Sequence, residues 1–368
     1  MSWVWVDDKL QEAAGLKRLL EAAGLQIDVS KPSAVRERIK DGDFEADGVL
    51  MDIELNTDAA FSEDGSTMAQ LIRTEQNRGT VAPLPVVRFA RRGPVDEYVG
   101  SDTSSDDLFV WSIDKDDVAA EKAEGFGITL LGMQEVFAQV GRNGEFLSLV
   151  GLEEESWDSF GHPTFRKTYE RTAGNHLKAA YYIRLLLTPG PLVGEDLLAV
   201  RLGVARPESS GWDALLEALK EFEYRGVAKA QFRRWWTRGV ELWWEEFSSS
   251  DEPLSSLTIE ERITTLGAKF ENLVPLKMSD GSPGSRPWHH CQLSWSEHRE
   301  LVAVDPEFAL PVPRQLPSLD VQLRRPSEGW EDPLVVALGP ASRNRSKLDV
   351  DNDVMERLKA RATARNVA

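Results

Sequence analysis

Three aspartates in the first part of the chain are placed for metal or phosphoryl chemistry. Asp7 and Asp8 follow the apolar run Trp3-Val4-Trp5-Val6, and Asp52 closes Gly48-Val49-Leu50-Met51. Carboxylates gathered at strand ends repel one another, and a hard cation relieves that repulsion. Mg2+ suits such a cluster, held by a few carboxylates, a backbone carbonyl and water. An aspartate beside bound Mg2+ can also attack a phosphoryl donor, because the metal offsets charge on the incoming phosphate.

Two smaller constellations carry less. His289-His290-Cys291 with His298 could hold a metal or pair a cysteine nucleophile with its base. Adjacent residues of an extended segment point to opposite faces, and no further cysteine or acid is spaced to complete a set, so a surface strand is expected. Asp349-Val350-Asp351-Asn352-Asp353 imitates the start of a calcium loop. It has Val354 at the turn glycine and Ala360 at the closing glutamate, which leaves a helix cap as its reading.

Strands must bring the aspartates together. The patterning predicts strands over Trp3 to Val6, Ile27 to Val29, Gly48 to Asp52, Leu84 to Phe89 and Leu108 to Ile113. Helices are expected from about Lys9 to Ala23, from Ala34 to Lys40 and from Gly65 to Asn77, with Val118 to Glu124 as a last short one. Alternating strands and helices imply a parallel sheet covered on both faces, a flavodoxin-like doubly wound α/β domain. Ligands of such sheets bind at the carboxyl ends of the strands, where Asp7, Asp8 and Asp52 fall.

These motifs resemble the receiver domain of two-component response regulators. The likeness rests on Val4-Trp5-Val6-Asp7-Asp8, on Val49-Leu50-Met51-Asp52-Ile53-Glu54-Leu55 and on Asp64-Gly65. Pro85-Val86-Val87 and Asp106-Asp107-Leu108-Phe109-Val110 extend it to about a third of the chain. The resemblance implies Asp52 as phosphoacceptor, Asp7 and Asp8 as metal ligands and the carbonyl of Glu54 as a further ligand. The chain also departs from the family. Ala90 stands where a Thr or Ser turns toward the phosphoryl group. Trp111-Ser112 stand where a Lys-Pro pair is expected, with Lys115 a few residues on. The loop Asn56 to Glu63 is longer than usual. Without hydroxyl and cation the two states of a switch lack differential contacts, which favours a pseudo-receiver. A phosphorylatable variant in which Lys115 substitutes is the alternative.

Beyond the receiver-like part, helices are expected over His176 to Leu187, Glu195 to Leu202 and Trp212 to Tyr224. Their spacing, carried by Glu195 to Val204 and Leu215 to Leu219, resembles a winged helix-turn-helix. The polar face of the third helix holds Asp213, Glu217, Glu221 and Glu223 against Lys220 and Arg225, which is wrong for phosphate contact. Trp236, Val240, Trp243, Trp244 and Phe247 make one apolar stripe of a helix and are expected in a core. Ser248-Ser249-Ser250-Asp251-Glu252-Pro253 reads as a linker, and Thr258 with Glu261 as a capping box.

The expected organisation is a receiver-like domain over 1–124, a Trp-rich, mainly helical winged-helix-like domain over 125–250, and an irregular α+β region over 251–368. A net charge of -18 argues against general binding to nucleic acid. No apolar run reaches the roughly 20 residues that span a bilayer. The single cysteine fits a reducing cytoplasm, and the start of the chain lacks the pattern of a signal peptide. The expected function is a non-enzymatic regulatory or adaptor protein of a bacterial signalling system, with Mg2+ as the only cofactor considered. Its partner would be a kinase, an effector or a second copy as dimer mate. The alternatives are a true response regulator, phosphorylated on Asp52 with a DNA-binding output, and an enzyme built around His290 and Cys291.

Overall fold

A computed structural model describes residues 2–11, 13–55, 64–91, 107–249, 252–278, 285–294, 301–312, 329–343 and 352–367. The loop from Asn56 to Glu63, His298 and Asp349 to Asp351 lie outside the described residues, as do Asp106 and Ser250-Asp251 of the expected linker.

Strand β1 (Trp3–Val6) is buried along its whole length, and its side chains divide between two cores. Trp3 and Trp5 join one apolar cluster with Leu50, Val87, Phe89 and Ile113, whereas Val4 and Val6 join another with Val49, Met51 and Val86. That alternation is what a strand covered on both faces requires, and it explains the unbroken apolar runs. The remaining strands are β2 (Ile27–Ser30), β3 (Gly48–Met51), β4 (Val86–Ala90) and β5 (Trp111–Asp114). They form an all-parallel sheet of order β2-β1-β3-β4-β5, an α/β architecture consistent with a flavodoxin-like start.

Helices α2 (Pro32–Asp41) and α3 (Gly65–Arg78) cover one face through Val35, Ile39, Met68 and Ile72. Pro32 opens α2, where its missing N–H costs nothing. The Asp64 carboxylate caps α3 by accepting from the Thr67 N–H at 2.8 Å. Helix α1 (Ala13–Ala22) covers the other face, together with α4 (Ala120–Arg142).

Two sequence expectations need correction here. The fifth strand begins at Trp111, not Leu108. Phe109 and Val110 are buried beside the sheet, so apolar character runs beyond the paired residues. The short helix expected to end at Glu124 is the first part of the 23-residue α4, so the boundary at 124/125 falls inside a helix. Glycines that read as breaks are contact points. A Cβ on Gly127 would lie 2.3 Å from the Ala23 Cβ, and one on Gly132 would lie 2.4 Å from the Phe232 ring. Trp3 Nε1 donates to Gln134 Oε1 at 3.1 Å, and Glu135 Oε1 accepts from the Ala228 N–H at 3.1 Å. Both faces of α4 are thereby engaged, and one core runs from Trp3 through α4 to Tyr182, Trp236 and Trp330.

The helical part continues through α5 (Phe146–Val150), α6 (Glu154–Phe160), α7 (Pro163–Arg171) and α8 (Asn175–Leu187). It is followed by β6 (Leu192–Val193), α9 (Glu195–Leu202), α10 (Trp212–Ala218), β7 (Trp235–Trp236) and α11 (Thr237–Ser248). Helix α10 is shorter than expected, ending at Ala218 before a 3-10 turn over Lys220–Phe222. Trp235 and Trp236 are strand residues paired antiparallel to β6, so the expected helical stripe starts one turn later. Of the expected stripe, Trp236, Val240 and Trp244 are buried, whereas Trp243 and Phe247 are only half-buried at its edge.

Helix α12 (Ile259–Gly267) carries the expected capping box of Thr258 and Glu261. Leu254, Leu257, Leu266 and Phe270 share a core with Leu197, Leu215 and Trp244, so the expected division at 250/251 cuts through one apolar cluster. Two short antiparallel pairs, β8 (His289–His290) with β9 (Ala303–Val304) and β10 (Ala309–Pro311) with β11 (Val335–Ala337), enclose a small core of their own with Cys291, Phe308 and Met355. Among the described residues no helix is long and apolar enough to cross a membrane.

Candidate functional site

The parallel registers carry two aspartates past the ends of their strands. The Asp7 N–H donates to the Ser30 carbonyl at 3.2 Å and the Asp52 N–H to the Val6 carbonyl at 3.0 Å, so the ladder fixes both backbones. Asp7, Asp8 and Asp52 each place a carboxylate oxygen within 4.8 Å of the others. The three acids that the sequence singles out are brought together.

Lys115 follows β5 directly, and its ammonium lies between two of them. Nζ donates to Asp52 Oδ2 at 2.6 Å and to Asp7 Oδ2 at 2.7 Å. The other oxygens accept backbone protons, Asp7 Oδ1 from Lys9 and Asp52 Oδ1 from Ile53, each at 2.7 Å. The ammonium lies 5.5 Å from the centre of the Trp5 ring and 5.8 Å from that of Phe89, which are themselves packed edge to face. Glu54, Ala90 and Arg91 join Asp7, Asp52 and Lys115 around a cavity of about 100 Å3.

This geometry corrects the assignment of Trp111 and Ser112 to the lysine position. Trp111 opens β5, pairs across to Val87 and packs its ring 5.9 Å from Phe126. The residue that leaves the carboxyl end of β5 beside the acids is Lys115. Ala90 ends β4, buried and without a hydroxyl, as the sequence indicates. Gly65 has a role that its motif alone does not reveal. Its N–H donates to the Ile53 carbonyl at 3.0 Å, and a Cβ there would lie 1.9 Å from the Asp52 carbonyl oxygen. The chain leaving Asp52 is pressed against the first turn of α3, and only glycine fits.

Burial pushes the Asp52 carboxyl above its ordinary value of 3.8. The charge and hydrogen bond of Lys115 offset this in part, Asp7 adds to the rise, and the Ile53 N–H opposes it. With a folded value above the unfolded one, the contribution of Asp52 to stability is fully present below pH 3.8 and is lost as pH rises through the folded value. Asp52→Asn therefore raises the urea midpoint at neutral pH in the absence of divalent cations, and the gain shrinks toward about pH 4. A midpoint that falls at neutral pH would contradict the inferred balance between burial and Lys115.

The donor set fits Mg2+. Three carboxylates offer hard oxygen donors, two of them bonded to the Lys115 ammonium, and Lys9, Glu54 and Arg91 line the same cavity. An octahedral ion with bonds of about 2.1 Å needs ligand oxygens roughly 3 to 4 Å apart, within a small adjustment of those present. Asp7, Asp8 and Asp52 would hold it.

Among the described residues, which exclude His298, the histidine and cysteine constellation does not assemble. Cys291 is sealed in the carboxyl-terminal core, where its Sγ lies 3.4 Å from the Ala337 N–H. A His290 ring nitrogen contacts the Gln292 amide at 3.0 Å. Burial, then His289 and Arg201, lowers the His290 pKa to about 4, so the ring is neutral at pH 7. A scan of the chain against protein-family models matches none, and no curated protein is significantly similar to it.

Proposed function

We propose that this chain is a non-enzymatic regulatory protein of a bacterial signalling system. Its receiver-like part binds Mg2+ through Asp7, Asp8 and Asp52 and accepts a phosphoryl group on Asp52. The observation that carries this reading is Lys115, whose Nζ bridges Asp7 and Asp52 at 2.7 and 2.6 Å. A cation beside the acceptor carboxylate is what a phosphorylated aspartate needs as counter-charge. Mg2+, when bound, would offset charge on the phosphoryl donor; the Asp52 carboxylate would attack phosphorus as the bond to the donor's leaving group, such as the acetate of acetyl phosphate, breaks, and Lys115 would pair with the new phosphoryl oxygens.

The readout must differ from one that uses a hydroxyl, because Ala90 supplies none. A change of charge on Asp52 would act through Lys115, whose ammonium must redistribute between Asp7 and the acceptor. The partner is a protein. The pairing of β6 with β7 around α9 and α10 supports a winged-helix-like output, but Asp213, Glu217, Glu221 and Glu223 would repel the phosphates of nucleic acid.

A second reading, a docking module that is never phosphorylated, is favoured by the missing hydroxyl alone. Melting of the full chain with Mg2+ and beryllofluoride separates the two. A rise in Tm that is absent in Asp52→Ala supports phosphoryl acceptance, and an unchanged Tm leaves the docking module.

A further inference from the structure

A larger cavity, of about 420 Å3, lies where the end of α8, the start of α9, the segment before β7 and the β8–β9 pair meet. It lies within the usual range for small-molecule sites. Its apolar lining comes from Leu187, Leu192, Leu197 and Leu301. Its polar lining is unevenly satisfied. Arg206 is paired with Glu195 at 3.1 Å and Asp196 at 3.0 Å, and Arg233 with Glu223 at 2.8 Å and Glu195 at 3.7 Å. Both acids in the cavity wall are therefore engaged by other arginines.

Arg234 differs. Its Nε donates to the Leu186 carbonyl at 2.9 Å and its Nη1 to the Arg233 carbonyl at 3.0 Å, neither of which neutralises the charge. The carboxylate whose field it feels, Asp196, is the one bonded to Arg206. Gly194 leaves room beside it, since a Cβ there would come within 3.2 Å of Arg234 Nη1. Three residues before Arg234, Gln231 lines the same cavity, and its Oε1 is buried with no hydrogen-bond partner among the described residues. A buried acceptor without a donor and a cation without a counter-ion are each costly, and one ligand can relieve both.

We propose that this cavity binds a small organic carboxylate carrying an N–H or O–H donor and a branched apolar group. The carboxylate pairs with Arg234, the donor serves Gln231 Oε1, and the apolar group lies among the leucines. A monoanion fits better than a dianion such as phosphate, because Glu195 and Asp196 share the wall.

Titration calorimetry on the full chain with N-acetyl-leucine tests this, because the compound carries all three features. Saturable binding with a Kd of about 1 mM or tighter is expected. N-acetyl-leucinamide, which lacks the charge, should bind at least about tenfold more weakly, as should N-acetyl-leucine to Arg234→Gln. Arg234 also holds two carbonyls, so that variant could fail to fold; Gln231→Leu leaves those bonds intact and should weaken binding by about tenfold through the lost acceptor. The proposal is overturned if N-acetyl-leucine shows no binding up to about 10 mM. Equal binding of the amide, or unchanged affinity in Gln231→Leu, overturns it as well. Inorganic phosphate binding as tightly as N-acetyl-leucine would overturn the carboxylate assignment. None of these outcomes depends on Asp52.

Discussion

Lys115→Met lowers stability by about 3 kcal/mol in Mg2+-free buffer, and millimolar Mg2+ restores much of the loss. The lysine is bonded to two buried carboxylates, the side chains of Asp7 and Asp52 being 4% and 12% exposed. Methionine keeps an unbranched apolar stem of similar length and removes the charge, so the effect reports the ion pairs rather than packing. Removing one partner of a buried pair is costly because it strands the other, and here it strands two. The double variant with Asp52→Asn should regain part of the loss without metal, since one stranded charge is then gone. Urea midpoints of the four proteins, with and without Mg2+, decide the matter. A Lys115→Met midpoint within about 0.5 kcal/mol of the parent would mean that the lysine does not hold the acids together.

Gly65→Ala destabilises the fold by about 2 to 3 kcal/mol and weakens Mg2+ binding at least about tenfold. The new Cβ would sit 1.9 Å from the Asp52 carbonyl oxygen, 2.9 Å from its carbonyl carbon and 3.0 Å from the Ile53 Cα. All three are backbone atoms, so no side-chain rotation relieves the clash. Either α3 retreats or the chain at Asp52 moves, and the second shifts a carboxylate of the proposed metal set. Gly79→Ala is the control. Gly79 has open space around it but a φ of 80°, so its substitution costs about 1 kcal/mol of backbone strain. It should leave Mg2+ affinity unchanged. If both variants lose stability equally and neither loses affinity, Gly65 has no role in positioning Asp52.

Strands β1 and β3 and the acid cluster are legible in the sequence because each of these strands is a fully buried apolar run closed by an aspartate, whereas β2 and β4 carry Asp28 and Arg88 within them. Lys115 is not placed correctly by the same logic. Hydrophobicity reports burial, and Phe109 and Val110 are buried ahead of the strand, tied to β4 only through the Val110 N–H on the Val86 carbonyl at 2.9 Å, so the apolar run starts before the strand does. Only the hydrogen-bond register, with Trp111 opposite Val87, shows that the strand ends at Asp114. Helix α4 is obscured for a related reason. Gly125, Gly127 and Gly132 lower local helix propensity, whereas the contacts of Gly127 with Ala23 and Gly132 with Phe232 arise only in the folded chain. The pairing of Trp235-Trp236 with β6 is likewise a non-local choice that a helical-looking aromatic stripe conceals.

Helix α4 bears on how such a chain can be taken apart. Its 23 residues span about 34 Å, with the Gly127 face seated on α1 and Gly132 on the ring of Phe232. A truncation after residue 124 would sever it and take Phe126, Leu130, Met133 and Phe137 out of the shared core, baring Trp3, Leu20 and the other apolar side chains of that cluster. The amino-terminal α/β part is therefore no interchangeable cassette. A chimera that grafts it onto another output has to carry the whole helix and a matching surface for it, and any lineage that exchanged one half of this protein would have had to remodel the other.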